Sequence, residues 1–119
     1  MSRTIMGCIL AYLAAGCTGA GENVFDSSKA VNCMAIFGIS HNAYQQLSNF
    51  RDAELMNVRN TFLAKQNGGP NWIKDNLEEA VQIGAKISAK NDREATIRLL
   101  KGCEASQDGD PEFRALTKR

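Results

Sequence analysis

Asn67-Gly68-Gly69-Pro70 is the joint on which the reading of this chain turns. Glycine ends a helix readily because it takes the left-handed backbone without a Cβ clash. Proline suits the first turn of the next helix, where its missing N–H has no partner to lose. After the joint, Trp72, Ile73, Leu77, Ala80, Val81, Gly84 and Ile87 recur at three- and four-residue spacing. That spacing predicts a helix over residues 71–90 with these positions as its apolar stripe. Asp75, Glu78 and Glu79 fall near its start and Lys86 and Lys90 near its end, the order that suits the helix dipole. Before the joint, Leu55, Met56, Val58, Phe62 and Leu63 mark a helix over residues 50–66, with Arg51, Asp52, Glu54, Arg59 and Lys65 expected to face water.

Working outward, Ser48-Asn49 is a weaker break, either a joint or a kink within one long helix over residues 28–66. Ahead of it a helix over residues 28–47 is expected, with Asp26, Ser27 and Ser28 offering N-caps. Ala30, Cys33, Met34, Phe37, His41 and Tyr44 share one of its faces, and Gly38 on that face allows close approach or a bend. On the far side, Asn91 or Asp92 caps a helix over residues 92–105, with Ala95, Thr96, Leu99, Leu100 and Cys103 on one face. Residues 106–110 read as a polar loop. Asp110-Pro111-Glu112 then looks like the start of a short last helix, which either docks through Phe113 and Leu116 or frays. No stretch alternates as a strand does. The expected fold class is all-α: a small bundle of four or five helices closed by one disulfide, in a single domain over residues 28–119.

The first residues differ in kind. Arg3 is the only charge before Glu22, and the chain from Ile5 to Gly16 is apolar or small. A basic start, about a dozen apolar residues and then small ones is the build of a secretory signal peptide. It is shorter than the roughly 20 residues a membrane span needs. Leu13-Ala14-Ala15-Gly16-Cys17 resembles the lipobox of bacterial lipoproteins. In that family the cysteine is acylated and becomes the mature N-terminus. The resemblance implies that residues 1–16 are a cleaved leader, that Cys17 carries the lipid, and that residues 17–27 are a flexible tether. The competing reading makes residues 5–15 a first core helix of a cytoplasmic protein.

Four cysteines are present, and the leader accounts for Cys8 and Cys17. Cys33 and Cys103 remain in the body. In an exported chain such a pair reads as a disulfide. The chain-entropy model values closure of a loop that long at about 4 kcal/mol. The charge of the whole chain is +1, from 14 basic and 13 acidic residues, and Arg3 leaves with the leader. A near-neutral chain without a basic block argues against nucleic acid as its main partner.

Few residues could carry chemistry. His41 is the only histidine and has no Cys or Asp at helical spacing. Asp108-Gly109-Asp110 begins like a calcium loop but lacks the rest of the ligand pattern. Gly68-Gly69-Pro70 lacks the lysine and spacing of a phosphate loop. The expectation is therefore no catalytic set, no metal and no cofactor. Trp72, Tyr44 and His41 are the candidate interaction residues, since interfaces favour large amphipathic side chains. The function expected is that of an exported, non-enzymatic binding protein of the bacterial cell envelope. It would sit in the periplasm or at the outer membrane through its lipid and be inhibitor-, immunity- or chaperone-like, with another protein or a second copy as partner. The alternative is a cytoplasmic adaptor or regulatory subunit.

Overall fold

The computed structural model describes residues 23–118. The expectations on the leader, on Cys8 and on Cys17 as the lipid site lie outside them. Five helices follow in order: α1 (Ala30–Gln46), α2 (Phe50–Gln66), α3 (Pro70–Lys90), α4 (Arg93–Asp108) and α5 (Pro111–Thr117). Among the described residues there is no strand. The class is all-α, and a disulfide joins Cys33 to Cys103 across a Cα–Cα distance of 5.5 Å.

The Gly68-Gly69-Pro70 joint and the Asp92 cap formed for the reasons the sequence suggests. Gly68 and Gly69 both hold positive φ, at 121° and 110°. Asn49 caps α2 by accepting from the Asp52 N–H, and Asp92 caps α4 by accepting from the Ala95 N–H. Asn91 takes the left-handed end of α3. Residues 23–27, expected to belong to a flexible tether, instead pack on the domain. Val24 is buried, and the Asn32 side chain donates to the carbonyls of Asn23 and Asp26. Asp26 accepts from the N–H and hydroxyl of Ser28, so it caps a turn ahead of α1; Lys29 at the helix start provides no side-chain cap.

Contacts set the helix directions. Met34 and Asn60, then His41 and Ala53, pair α1 with α2 head to tail. Ile39 lies against Gly84, bringing α3 onto α1. Cys33 meets Cys103 on α4. The core gathers Phe37, Ile36, Met56, Leu63, Ile83, Ile87 and Leu99.

Two expectations fail at the entry end. Arg59 was expected in water but is only 6% exposed. It sits three residues after Met56 and three before Phe62, on the core line of α2, so its stem is carried inside. Its guanidinium is paired there through Nη1, while the buried Nε has no hydrogen-bond partner. Nη1 donates to Gln107 Oε1 at 3.1 Å and lies 3.0 Å from Asp108 Oδ1, while Glu104 is 3.8 Å from Nε. The Phe113 ring stacks 4.9 Å from it. The second failure follows from the first. Residues 106–108 continue α4 instead of forming a loop, because Gln107 is buried and donates to the Arg59 carbonyl at 2.9 Å. Phe113 then packs on Phe62 at 5.3 Å and fixes α5, while Leu116 stays exposed. Lys65 pairs with Glu112 at the surface.

Candidate functional site

α2 and α3 leave the Gly68-Gly69 joint as two walls, with α1 as the floor between them. The groove so formed holds about 420 Å³. Met34, Gly38 and Ile39 line it from α1, Asn57 and Asn60 from α2, and Leu77 and Val81 from α3. No Asp, Glu, Lys or Arg lines it. The floor is open at Gly38, where an added methyl group would meet nothing within 4 Å.

Leu77 and Val81, expected in the buried stripe of α3, are 53% and 63% exposed. The reason is angular. Ala80, Ile83 and Ile87 mark the line that faces the core. At about 100° per residue, Leu77 and Val81 stand roughly 60° and 100° round from Ala80, and so on the rim of the groove.

His41 also lines this groove, with Nδ1 donating to the Ala53 carbonyl at 2.9 Å. That bond fixes the ring and ties α1 to α2; Nε2 keeps the free lone pair in the neutral ring. Among the described residues, no three of His, Cys, Asp and Glu come together as a metal-holding group.

Tyr44 belongs to a second groove of about 520 Å³, on the other side of α1. Ile39, Ile87 and Ile97 line it, with Asn91, Asp92 and Arg93 at its mouth. Trp72 is elsewhere again. It is half buried in the first turn of α3 and packs against the core. The structure therefore brings the three sequence candidates to three places. What sequence reasoning missed is the ridge of Leu77 and Val81, with Asn57 and Asn60 lining the same groove. The signal available was the width of the apolar stripe on α3, broader than one core contact can cover. Asn60 Oδ1 is shut off from solvent and has no hydrogen-bond partner.

At the entry end, burial raises the Glu104 carboxyl above the ordinary value of 4.5, and the nearby Asp108 adds to the rise while Arg59 opposes it. The bonds from Ser28 hold the exposed Asp26 below the ordinary 3.8. Both groups serve the scaffold and line neither groove. Among the described residues no helix is long and apolar enough to cross a membrane. Comparison with models of known protein families, with curated proteins and with solved structures finds no match.

Proposed function

We propose that this chain is an exported helical binding module of the bacterial cell envelope, processed at Cys17, held there by lipid, and working through contact with protein instead of catalysis. The observation that carries this reading is the Cys33–Cys103 bridge. Both cysteines are buried, so the bond acts as a staple with no exposed thiol chemistry. Such staples are found chiefly in oxidising compartments. The uncharged first groove favours protein over nucleic acid, which would need a basic face.

Intact mass of the protein from its native host, with and without reductant, tests the reading. The expected mass begins at Cys17 with acyl chains added, and rises by about two mass units when the disulfide takes up two hydrogens. A full-length chain with four free thiols would overturn it and leave the cytoplasmic adaptor, with residues 5–15 in the core.

A further inference from the structure

We infer that Asn67 is a self-modifying site: the Gly68 backbone nitrogen displaces its side-chain amide, and the joint between α2 and α3 acquires a carboxylate there with water as the only co-reactant. Asn67 alone among the asparagines is followed by glycine. Glycine has no Cβ to screen its backbone nitrogen. Asn67 and Gly68 are both exposed, so water and hydroxide reach them. The Asn67 N–H donates to the Ala64 carbonyl at 3.0 Å, and the Gly69 N–H donates to the same carbonyl at 2.8 Å. Between them the Gly68 N–H has no acceptor among the described residues, so this nitrogen gives up no bond of the fold when it attacks.

The reaction balances without a redox step. Base takes the Gly68 N–H proton as the nitrogen adds to Asn67 Cγ. The new C–N bond closes an imide ring. The Cγ–Nδ2 bond breaks, and Nδ2 takes a proton from water and leaves as ammonia. Water then opens the ring. Cleavage between Cγ and the Gly68 nitrogen gives aspartate. Cleavage between the backbone carbonyl carbon of residue 67 and that nitrogen gives isoaspartate, whose main chain runs through the side chain and is longer by a methylene.

The fold sets the rate. Asn67 has a ψ of 18°, which places the Gly68 nitrogen near the nitrogen of Asn67 itself and more than a third of a turn from the Cα–Cβ bond. Ring closure needs that turn. Two hydrogen bonds resist it, Gly69 to Ala64 and Asn67 Nδ2 to the Leu63 carbonyl at 2.8 Å. Packing does not resist it, since a Cβ built at Gly68 or Gly69 would meet nothing within 4 Å. Openings that break exposed hydrogen bonds without uncovering core lie at the low end of the stability range. The folded chain therefore reacts, more slowly than the unfolded one and in proportion to how often the joint opens.

Either product puts a carboxylate where Nδ2 now donates to Leu63, at the negative end of α2. The isoaspartate methylene also lengthens the connection between α2 and α3, the two walls of the groove over α1.

The test holds the purified, folded and disulfide-bonded chain in mildly alkaline buffer for days and maps its peptides by mass spectrometry. A gain equal to water minus ammonia is expected at Asn67 and at no other asparagine, with electron-based fragmentation separating aspartate from isoaspartate. The rate should rise with hydroxide, and rise again in the same chain unfolded by urea and reductant. Asn67→Gln, whose longer side chain closes its ring more slowly, should lose the modification while circular dichroism shows that it folds. Asn67→Asp mimics one product and should lower Tm by a few degrees. A folded chain that keeps Asn67 while the unfolded chain converts overturns the inference. So does a chain that converts in neither state, or conversion spread over the other asparagines. An unchanged Tm in Asn67→Asp would overturn the effect on the joint.

Discussion

Where the chain enters the bundle, Cys33–Cys103 bonds α1 to α4, and Arg59 holds α2 to α4 and α5 through Gln107, Asp108 and Phe113. At the opposite end the turns at Ser48 and Asn91 connect the helices and the His41–Ala53 bond ties α1 to α2, and Leu47 and Phe50 stand in solvent at 76% and 63% exposure. The backbone shows the same contrast. Gly68 and Gly69 take the positive φ at the entry end, whereas Ser48 and Asn91, which carry side chains, take it at the far end. A non-glycine residue in that region costs roughly 1–2 kcal/mol. Cross-links between helices are thus concentrated at the end where α1 begins, and large apolar side chains stand open at the other. Uneven stability of this kind is usual in proteins that bind through one region.

The largest effect expected is from the staple. Cys33→Ser or Cys103→Ser should lower stability by about 2–5 kcal/mol, and the double variant should match either single one, since one bond is lost in each case. Urea unfolding with and without reductant measures it. If the single variants differ little from the parent, the contrast between the two ends is weaker than the geometry implies.

Next comes Arg59. Arg59→Ala should cost on the order of 2–4 kcal/mol, because Gln107 loses its partner, Glu104 and Asp108 lose their counter-charge and the packing of the side chain under Phe113 is removed. Arg59→Met keeps the apolar stem under Phe113 and should cost clearly less. Thermal unfolding of the pair decides whether charge or packing holds α5. Equal losses would assign the cluster to charge.

A smaller effect separates two glycines. A Cβ at Gly102 would lie 2.5 Å from Ser27 Oγ and 2.7 Å from Ser27 Cβ, so the segment before α1 must move. Gly102→Ala should cost about 1–3 kcal/mol by overpacking. At Gly84 the nearest atom is Ile39 Cδ1 at 3.6 Å, an ordinary contact, and alanine suits a helix better than glycine. Gly84→Ala should be neutral or slightly stabilising in chemical denaturation.

Much of this architecture was legible in the sequence. The Gly-Gly-Pro joint, the cap Asp92 and the second helix at residues 50–66 follow from local chemistry that needs no partner element. Arg59 was not legible. Its type says solvent and only its position, between Met56 and Phe62, says core; position won because Gln107 and two carboxylates lie 45 or more residues away in sequence. The candidate site was less legible still. Leu77 and Val81 belong to the apolar stripe by spacing, and which edge of a stripe stays open depends on where α1 and α2 stop. The tether was misread at its inner end for the same reason. Val24 and Phe25 could be seen as apolar, but their cover comes from the folded domain.

The smallest effect is the dependence on pH, and it too belongs to the entry end. Burial raises the Glu104 carboxyl, so the folded chain holds that proton more tightly than the unfolded one. At pH well below 4.5 both forms are protonated, and the favourable difference is fully present. As pH rises through 4.5 the unfolded chain releases the proton first, and stability falls until the folded carboxyl has also ionised. Asp26 acts the other way and lower on the scale. Its depressed carboxyl gives stability above 3.8 that is lost as pH falls below that value. The two windows adjoin without coinciding, so unfolding measured from pH 3 to 7 should show a shallow maximum near the boundary between them. Glu104→Gln keeps the shape of the side chain and removes its charge; the decline on the upper side should flatten, while the loss on the acid side stays. A decline that survives in Glu104→Gln would mean that another carboxyl sets the upper limb, and that burial beside Arg59 costs the Glu104 charge nothing.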